Sequence, residues 1–439
     1  MTTLLAFAFV LGVLVFVHEL GHFMMARWHG VRVLTFSLGF GPKLLTVKRG
    51  DTEYCVSAIP LGGYVKMAGE NPEDERSGAE DEYLSKSKWQ RFQILIMGPA
   101  MNLILAVVLL AVVLAQGAEV PAFQDEAPVI GKVTEGSPAE QAGLRPGDRI
   151  VTVDGGETPT WDKFFLAIGT KPDRDVPLLI ERDGRQQIVS VHPEATTRFE
   201  VGDIGVLPDV YPNIRSVTEG DPADEAGLRA GDVIVAINGQ RMVFAQDVSE
   251  AIGGSAGGPV AITIRRDGNE RTVDVTPVER GGSRVIGIGI NNETRTFQPG
   301  PLEAVGLSVR RNIEYSGLIL QTVWGLVVGQ TSPRQLMGPV GIAQLSGESA
   351  QLGWVALFGL MASISLNLGL LNLLPIPILD GGHITIMALE AVARRDFSMQ
   401  VKEKMLLAGF VLLMMLMVTV IYNDLTRIPW VEQLMPWRN

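Results

Sequence analysis

The sequence predicts a polytopic α-helical membrane protein with about four transmembrane helices, a β-hairpin between the first two and two β-rich modules inserted before the third. Three observations support this fold class. The 439 residues are 46% hydrophobic and only 19% charged, which is typical of chains with membrane segments. Four apolar stretches approach or exceed the roughly 20 residues that cross a bilayer. A sequence repeat at an offset of 84 residues indicates two copies of one module.

The four predicted spans are dominated by apolar residues. They run from Leu4 to Trp28, Ile94 to Ala115, Trp354 to Leu379 and Met405 to Tyr422. Met1 to Thr3 carry no positive charge, and no small-residue cleavage site lies early in the first span. We therefore expect this span to be a retained transmembrane helix and not a signal peptide.

Basic residues predict how the chain crosses the membrane. No Lys or Arg precedes Arg27, the loop after it is rich in both, and four more lie within 394–404. Because cytoplasmic loops carry the excess of Lys and Arg, we expect these two loops in the cytoplasm. Both termini and the middle region are then expected on the outer side of the membrane.

The first predicted span contains an H-E-x-x-H motif, His18-Glu19-Leu20-Gly21-His22. On a helix, His18 and His22 lie one turn apart on the same face, spaced to bind one Zn²⁺ ion, with Glu19 beside them as a candidate general base. An ionisable side chain near the bilayer centre costs about 3 kcal/mol, so these polar groups need a partner such as a metal. The motif predicts a zinc metalloprotease, and two ordinary helix histidines are the alternative.

The predicted third ligand comes from the end of the third span, because zinc in hydrolases takes three protein ligands. Residues 367–383 read NLGLLNLLPIPILDGGH, in which Pro and Gly interrupt an apolar helix. Irregular backbone at that depth is expected to line a cavity. The first and third spans are predicted to run in the same direction, which brings Asp380 to the motif histidines. His383 is the rival ligand, a helix cap is the alternative role for Asp380, and His29 and His192 are poorly placed.

A β-hairpin is predicted in the loop after the first span. Leu44 to Val47 and Glu53 to Ser57 are strand-like, and Arg49-Gly50-Asp51 is a turn signal between them. A helical substrate must unwind before its peptide bond reaches a metal, so one interpretation is an edge strand that pairs with an extended substrate. A surface hairpin without a role is the alternative. The acidic stretch after Ala68 is expected to be a solvated connector.

The middle of the chain contains an internal repeat. Val133 to Asp148 returns with few changes as Val217 to Asp232, and Arg182 to Gly184 returns as Arg266 to Gly268. Each copy has a Pro-capped short helix, a Gly-Asp turn into a β-branched strand and an Arg-Asp-Gly hairpin. The predicted domains are 1–118 with the first two spans and the hairpin, 119–208 and 209–292 as the modules, 293–350 as an interfacial helical segment, and 351–439 with the last two spans.

The two modules resemble PDZ domains. In that family, a strand and an adjoining Ile-Gly-Ile type loop hold the carboxy terminus of a partner. The resemblance implies substrate-binding roles for Ile204, Gly205 and Val206 in the first module and for Ile288, Gly289 and Ile290 in the second. The alternative is a pair of rigid spacers with no ligand.

The segment between the modules and the third span is predicted to lie in the membrane interface. Leu318 to Val328 is apolar but short, has charged neighbours and contains Gln321, which is typical of an amphipathic interfacial helix. If it crossed the membrane, Asp380 would face away from the motif histidines.

The H-E-L-G-H motif, the N-x-x-P-x-P-x-L-D-G motif at 372–381 and the paired modules together resemble the site-2 protease family. The resemblance implies a zinc protease of the bacterial inner membrane, with its active site towards the cytoplasm and periplasmic PDZ domains. Its implied substrates are single-pass membrane proteins, such as an anti-sigma factor already trimmed outside, and remnant signal peptides, cut in regulated intramembrane proteolysis during envelope stress. It also implies that Asn372 contacts the substrate backbone and that the hairpin is a re-entrant β-loop on the cytoplasmic side.

Composition excludes other classes. The net charge of -11 and the lack of a long basic run argue against nucleic-acid binding, whereas the apolar spans imply lipid contact. A single cysteine, Cys55, excludes an internal disulfide framework. The alternative function is a non-catalytic membrane receptor that senses chain termini with its PDZ pair. A transporter with a broken helix is less favoured, because the membrane part shows no inverted repeat.

Overall fold

A computed structural model describes residues 2–70, 78–196, 201–255, 257–280, 283–292 and 294–426. The chain forms two units, one of residues 1–117 with 298–439 and the other of residues 118–297. Within the described residues, four helices are long and apolar enough to cross a membrane: Thr2–Trp28, Lys88–Ala115, Trp354–Asn372 and Met399–Thr426.

The first two helices, α1 (Thr2–Trp28) and α2 (Lys88–Ala115), pack as an antiparallel pair. His22 contacts the Ile94 carbonyl near the start of α2, whereas Val10 and Leu109 share a buried cluster further along. Close packing depends on glycine, because a Cβ atom on Gly21 would lie 2.3 Å from a backbone oxygen of α2. Small residues at such positions let two membrane helices approach each other.

The hairpin between α1 and α2 is larger than predicted. Its strands are β1 (Val33–Arg49) and β2 (Thr52–Met67), whereas the sequence pattern indicated only the part nearest the turn. Both strands bend, so 33–38 pairs with 63–67 on one side and with 53–56 on the other. The result is four strand segments in the order 43–49, 52–57, 33–38, 63–67. Gly39 and Gly41, both with positive φ, lie where β1 bends.

The second unit contains the two modules. Its strands are β3 (Ala118–Pro121), β4 (Ile130–Val133), β5 (Arg149–Val153), β6 (Gly156–Glu157), β7 (Val176–Arg182), β8 (Arg185–Val191), β9 (Glu194–Thr196), β10 (Val201–Asp203), β11 (Val206–Pro208), β12 (Pro212–Val217), β13 (Val233–Ile237), β14 (Gln240–Arg241), β15 (Val260–Arg266), β16 (Asn269–Val275), β17 (Val278–Arg280), β18 (Ser283–Val285), β19 (Ile288–Asn292) and β20 (Thr294–Phe297). Its helices are α3 (Pro138–Gln141), α4 (Trp161–Gly169), α5 (Pro222–Glu225) and α6 (Ala245–Gly253). The terminal strands β3 and β20 pair with each other.

Each module has its own hydrophobic core. The first core lies between Ile130 and Val206, and the second lies between Ile214 and Ile286. Each module also repeats one ion pair with a buried aspartate, Arg182 with Asp148 and Arg266 with Asp232, both at 2.6 Å or closer. Burial alone would raise the pKa of Asp232, but hydrogen bonds and charge from Arg266 hold that pKa below its ordinary value.

Equivalent hydrogen bonds show how the two modules correspond near their last strands. The backbone N–H of Ala139 donates to the Ile204 carbonyl, and the backbone N–H of Ala223 donates to the Ile286 carbonyl. Ala139 and Ala223 differ by the repeat offset of 84, whereas Ile204 and Ile286 differ by 82. Residues before this stretch therefore correspond at an offset of 84, and residues within it correspond at an offset of 82.

The predicted match of 204–206 with 288–290 is consequently wrong by two residues. The structural equivalents of 204–206 are 286–288. The offset changes because the connection between β9 and β10 in the first module has four residues, 197–200, whereas the connection between β17 and β18 in the second module has two, 281–282. Such a length difference cannot be seen when two motifs are aligned at a fixed spacing. Both connections lie outside the described residues.

The last five helices complete the first unit. They are α7 (Pro301–Val327), α8 (Pro339–Leu352), α9 (Trp354–Asn372), α10 (Asp380–Ala393) and α11 (Met399–Thr426). The apolar stretch 318–328, predicted to lie in the membrane interface, falls at the end of a longer helix, since α7 has 27 residues. It packs against α2, and the Ser308 hydroxyl donates to the Val107 carbonyl at 2.7 Å. The predicted third span is also too long, because its helix ends at Asn372 before the two prolines.

Candidate metal centre and active site

Three side chains converge on one point between α1, α2 and the start of α10. His18 Nε2 lies 3.2 Å from Asp380 Oδ2, and His22 Nε2 lies 3.5 Å from Asp380 Oδ1. The two histidine Nε2 atoms are 3.1 Å apart. Among the described residues these three form a group whose donor atoms lie within 4.8 Å of one another. His383 is not part of that group.

Two structural features bring Asp380 to the histidines. Helices α1 and α9 run in the same direction, because Val10 shares a buried cluster with Met361 and, further along both helices, His18 lines the same cavity as Asn372. The chain then leaves α9 and folds back before α10 begins at Asp380.

The fold-back explains the two glycines after the aspartate. A Cβ atom on Gly381 would lie 2.2 Å from the Leu373 carbonyl oxygen, and one on Gly382 would lie 2.0 Å from that of Ile376. No side chain fits at either position. The Asp-Gly-Gly sequence is therefore required by backbone packing as well as by the carboxylate.

Helix α2 closes the centre from the other side. A Cβ atom on Gly98 would lie 2.2 Å from His22 Nε2 and 2.9 Å from His18 Nε2. The two rings thus occupy space that any larger residue would fill. The sequence prediction assigned 97–102 only to close helix packing, and the structure places that stretch against the candidate ligands.

Both imidazole rings are also contacted at Nδ1, the nitrogen that points away from the centre. His22 Nδ1 lies 2.8 Å from the Ile94 carbonyl oxygen, and His18 Nδ1 lies 3.2 Å from the Asn102 carboxamide. Such contacts orient the rings and leave Nε2 for a metal.

The donor set fits zinc. Two imidazoles and one carboxylate are the ligands of one common class of catalytic zinc site, in which a further position remains for water. The histidines are buried and the Asp380 side chain is 17% exposed. A carboxylate and two imidazoles at this depth need a positive partner, and a divalent cation provides it.

A cavity of about 350 Å³ adjoins the three side chains and is lined by the predicted general base and by the predicted contact to the substrate backbone. Glu19 and Asn372 both line it, as the sequence prediction requires for a base and a substrate contact. Its other walls are Val15, Gly62, Gly63, Tyr64, Val65, Met67, Glu70, Leu95, Leu368, Ile378 and Leu379.

Several of these wall residues were missed by sequence reasoning. Residues 63–67 form an edge segment of the folded hairpin, since within the described chain they pair only with 33–38. A Cβ atom on Gly63 would lie 3.2 Å from Glu19 Cγ. Glu70, which the prediction assigned to a solvated connector, also lines the cavity. The sequence signal that could have indicated this segment is the Gly62-Gly63 pair, which precedes the strand-like residues 64–67.

The remaining histidines lie elsewhere. His29 follows the end of α1, and His192 Nδ1 lies 3.0 Å from Asp175 in the first module. The predicted peptide-binding residues differ between the modules. Ile204 and Val206 are buried in the first core, whereas Ile288, Gly289 and Ile290 line a groove of about 670 Å³ beside α6 in the second module.

Comparisons with known proteins agree with this geometry. Residues 6–416 match the model for peptidase family M50. The chain is 34% identical over 448 residues to the regulator of sigma-E protease of Salmonella typhimurium, covering 97% of this chain and 98% of the relative. It is 33% identical over 446 residues to the regulator of sigma E protease of Haemophilus influenzae, covering 96% and 98%.

Two further matches carry other names. A Vibrio cholerae protein with the name of a zinc metalloprotease is 35% identical over 454 residues, covering 97% of this chain and 98% of the relative. The PDZ domain of the SdrC-like protein of Listeria monocytogenes covers 19% of this chain and 90% of its own at 29% identity, with a TM-score of 0.17. Because the family model spans most of the chain and the relatives match along nearly their whole length, this chain belongs to peptidase family M50, the site-2 proteases, and is a zinc metalloendopeptidase.

Proposed function

We propose that this protein cleaves single-pass membrane proteins within their membrane segment, with His18, His22 and Asp380 as zinc ligands and Glu19 as the general base. The observation that carries the proposal is the convergence of these side chains on one cavity between helices that are apolar enough to span a bilayer. The substrate class we propose is an anti-sigma factor already trimmed outside the membrane, with remnant signal peptides as a second class.

The chemistry follows from the residues around the cavity. His18, His22 and Asp380 would hold the zinc ion, which would supply Lewis-acid chemistry for the scissile carbonyl and for the attacking water. Glu19 accepts the proton of that water and returns it to the leaving amine. Asn372, at the end of α9, donates a hydrogen bond from its carboxamide to the substrate backbone and holds the scissile bond in place.

The segment 63–67 is the proposed docking strand for the substrate. A membrane helix protects its own peptide bonds, so the substrate must be extended at the cleavage point, and an edge strand stabilises an extended chain by backbone hydrogen bonds. This edge lies beside Glu19 and lines the cavity. At the opposite side of the hairpin, Leu44, Leu45 and Val47 are each 66% exposed or more, which supports a re-entrant loop that contacts lipid.

The localisation we propose is the bacterial inner membrane, with periplasmic modules and termini and the active site towards the cytoplasm. Its support is the distribution of Lys and Arg between the loops. The modules, as PDZ domains, then act before the membrane step. They either exclude substrates with large outer domains or hold the carboxy terminus left by the first cut, and we favour exclusion because it needs no particular terminal sequence.

The test compares wild-type protein with Glu19→Gln after purification and reconstitution with a single-pass model substrate. We expect Glu19→Gln to retain zinc and to cleave at least about a hundredfold more slowly, the range of general-base catalysis. Glu53→Gln, in the hairpin away from the three ligands, is the matched control and should cleave normally. Near-normal turnover by Glu19→Gln would reject the assignment, and a zinc-free wild-type protein without cleavage would favour a receptor.

A further inference from the structure

Asn102 is a buried polar residue of α2 that the proposed mechanism does not use. It is 0% exposed, and its carboxamide nitrogen lies 3.2 Å from His18 Nδ1. Its backbone carbonyl accepts a hydrogen bond from the Ser365 hydroxyl of α9 at 2.8 Å. The residue is therefore fixed between α9 and the ring of a candidate metal ligand.

The ligand role of a histidine depends on which ring nitrogen carries the proton. A neutral imidazole has one N–H, and a ring that binds zinc through Nε2 carries that proton on Nδ1, where an outer partner accepts it. His22 meets this requirement, because its Nδ1 lies 2.8 Å from the Ile94 carbonyl oxygen, which can only accept. His18 Nε2 faces Asp380 at 3.2 Å, so its Nδ1 proton needs an acceptor as well.

Asn102 carries a suitable acceptor atom. Its Oδ1 is buried and, within the described residues, has no hydrogen-bond partner. An unsatisfied buried acceptor costs about 1–3 kcal/mol. The oxygen and the nitrogen of a carboxamide have nearly the same shape. A half-turn of the group about its Cβ–Cγ bond brings Oδ1 to His18 Nδ1, where it accepts the ring proton.

We propose that Asn102 is a positioning residue of the metal centre. Its Oδ1 accepts the Nδ1 proton of His18 and thereby keeps the Nε2 lone pair of that ring directed at zinc. Asn102 does not line the described cavity, so its effect on catalysis passes through His18. The inference rests on the proposed ligand role of His18.

Two substitutions test whether the Asn102 side chain accepts a hydrogen bond from His18 or only fills space beside the ring. Asn102→Leu keeps a similar shape but cannot accept a hydrogen bond, whereas Asn102→Asp accepts but does not donate when ionised. Zinc affinity of the full-length protein is measured by competition with a chelator. We expect Asn102→Leu to weaken zinc binding by about 10–100-fold, the usual effect of losing an outer partner, and Asn102→Asp to stay within about threefold of wild type. The visible spectrum of the Co²⁺-loaded protein should change in the Leu variant only.

Asn312→Leu is the matched control, because Asn312 is also buried and hydrogen-bonds to the Ser308 carbonyl within α7. It should bind zinc like wild type. Wild-type zinc affinity in Asn102→Leu would overturn the proposal. Zinc binding in Asn102→Asp as weak as in Asn102→Leu would also overturn it, because that result would mean that the Asn102 side chain donates a hydrogen bond or only fills space. If Asn102→Leu does not fold, Asn102→Ala replaces it.

His18→Ala distinguishes failure of this inference from failure of the proposed ligand set. Wild-type zinc affinity in His18→Ala would mean that the ligand assignment itself is wrong. Loss of zinc in His18→Ala together with normal affinity in Asn102→Leu would reject only the role of Asn102.

Discussion

Asp380 illustrates how one residue can acquire a role from the backbone around it. It is the first residue of α10, one position after the N-cap Leu379, where an acidic side chain ordinarily interacts with the helix dipole. The fold-back between α9 and α10 instead presents its carboxylate to both motif histidines. The carboxylate supplies the negative charge that a divalent ion needs in an otherwise apolar part of the molecule.

Substitution of this carboxylate should therefore reduce metal binding. We expect Asp380→Asn to weaken zinc affinity by at least about a hundredfold, more than the loss of an outer partner, because a neutral amide is a poor zinc ligand. His383→Ala is the control, since it removes a nearby histidine outside the group of three. Retained zinc in Asp380→Asn together with loss in His383→Ala would show that the third ligand was wrongly chosen.

The packing of α1 against α2 controls the geometry of the metal centre. The α1 and α2 helices approach so closely at Gly98 that the histidine rings fill the space of an absent side chain. Overpacking of this kind typically costs about 1–3 kcal/mol, and here the atoms that must move are the candidate zinc ligands.

We expect Gly98→Ala to lose most of its zinc and its cleavage activity, because the new methyl group would lie 2.2 Å from His22 Nε2. Metal content after dialysis and the thermal unfolding temperature are the measurements. Gly12→Ala and Gly359→Ala are matched helix controls, since a Cβ atom there meets nothing within 4 Å. Wild-type zinc content in Gly98→Ala would mean that the helices separate at no cost to the centre.

Segment 63–67 of the hairpin can be tested for pairing with an extended substrate. In a Cys55→Ala, Glu19→Gln background, Tyr64→Cys on the proposed docking strand should form disulfides with single cysteines in a bound substrate segment. Because side chains of an extended strand alternate between two faces, reactive substrate positions should recur at every second residue. Thr46→Cys, on the opposite edge, is the control and should react weakly. A recurrence at every third or fourth residue would indicate a helical substrate instead.

At the scale of the whole molecule, the two modules form one insertion into the membrane unit. Strands β3 and β20 pair with each other, with Pro121 opposite Thr294. The chain thus enters and leaves the insertion at neighbouring points. A short turn can replace the residues between these strands without separating the rest of the chain.

Deletion of 122–293, with an Asn-Gly turn joining β3 to β20, tests what the modules do. If they exclude large substrates, the shortened enzyme should cleave full-length and trimmed substrates at similar rates, whereas the intact enzyme prefers the trimmed form. Selective loss of cleavage of the trimmed form would instead indicate capture of the new terminus. Ser249→Trp, which blocks the groove of the second module, should then have the same effect. Zinc content shows that each variant is intact.

The features that depend on short-range spacing can be predicted from the amino-acid sequence alone. The H-E-x-x-H turn and the break before Asp380 each lie within fewer than about 20 consecutive residues, where helix period and turn chemistry decide the outcome. The duplication is visible because the motif at 133–148 returns at 217–232. The zinc assignment also followed from sequence, because polar groups in an apolar span need a compensating partner.

Contacts between residues that are distant in the sequence depend on how the helices and strands pack. Nothing near Asn102 or Gly98 in the sequence indicates that they contact His18, and residues 63–67 join the cavity only because both hairpin strands bend. The length of α7 and the two-residue shift between the modules escaped prediction for a related reason. Packing against α2 supports a helix that extends beyond its apolar stretch, and backbone hydrogen bonds align the modules where sequence spacing does not.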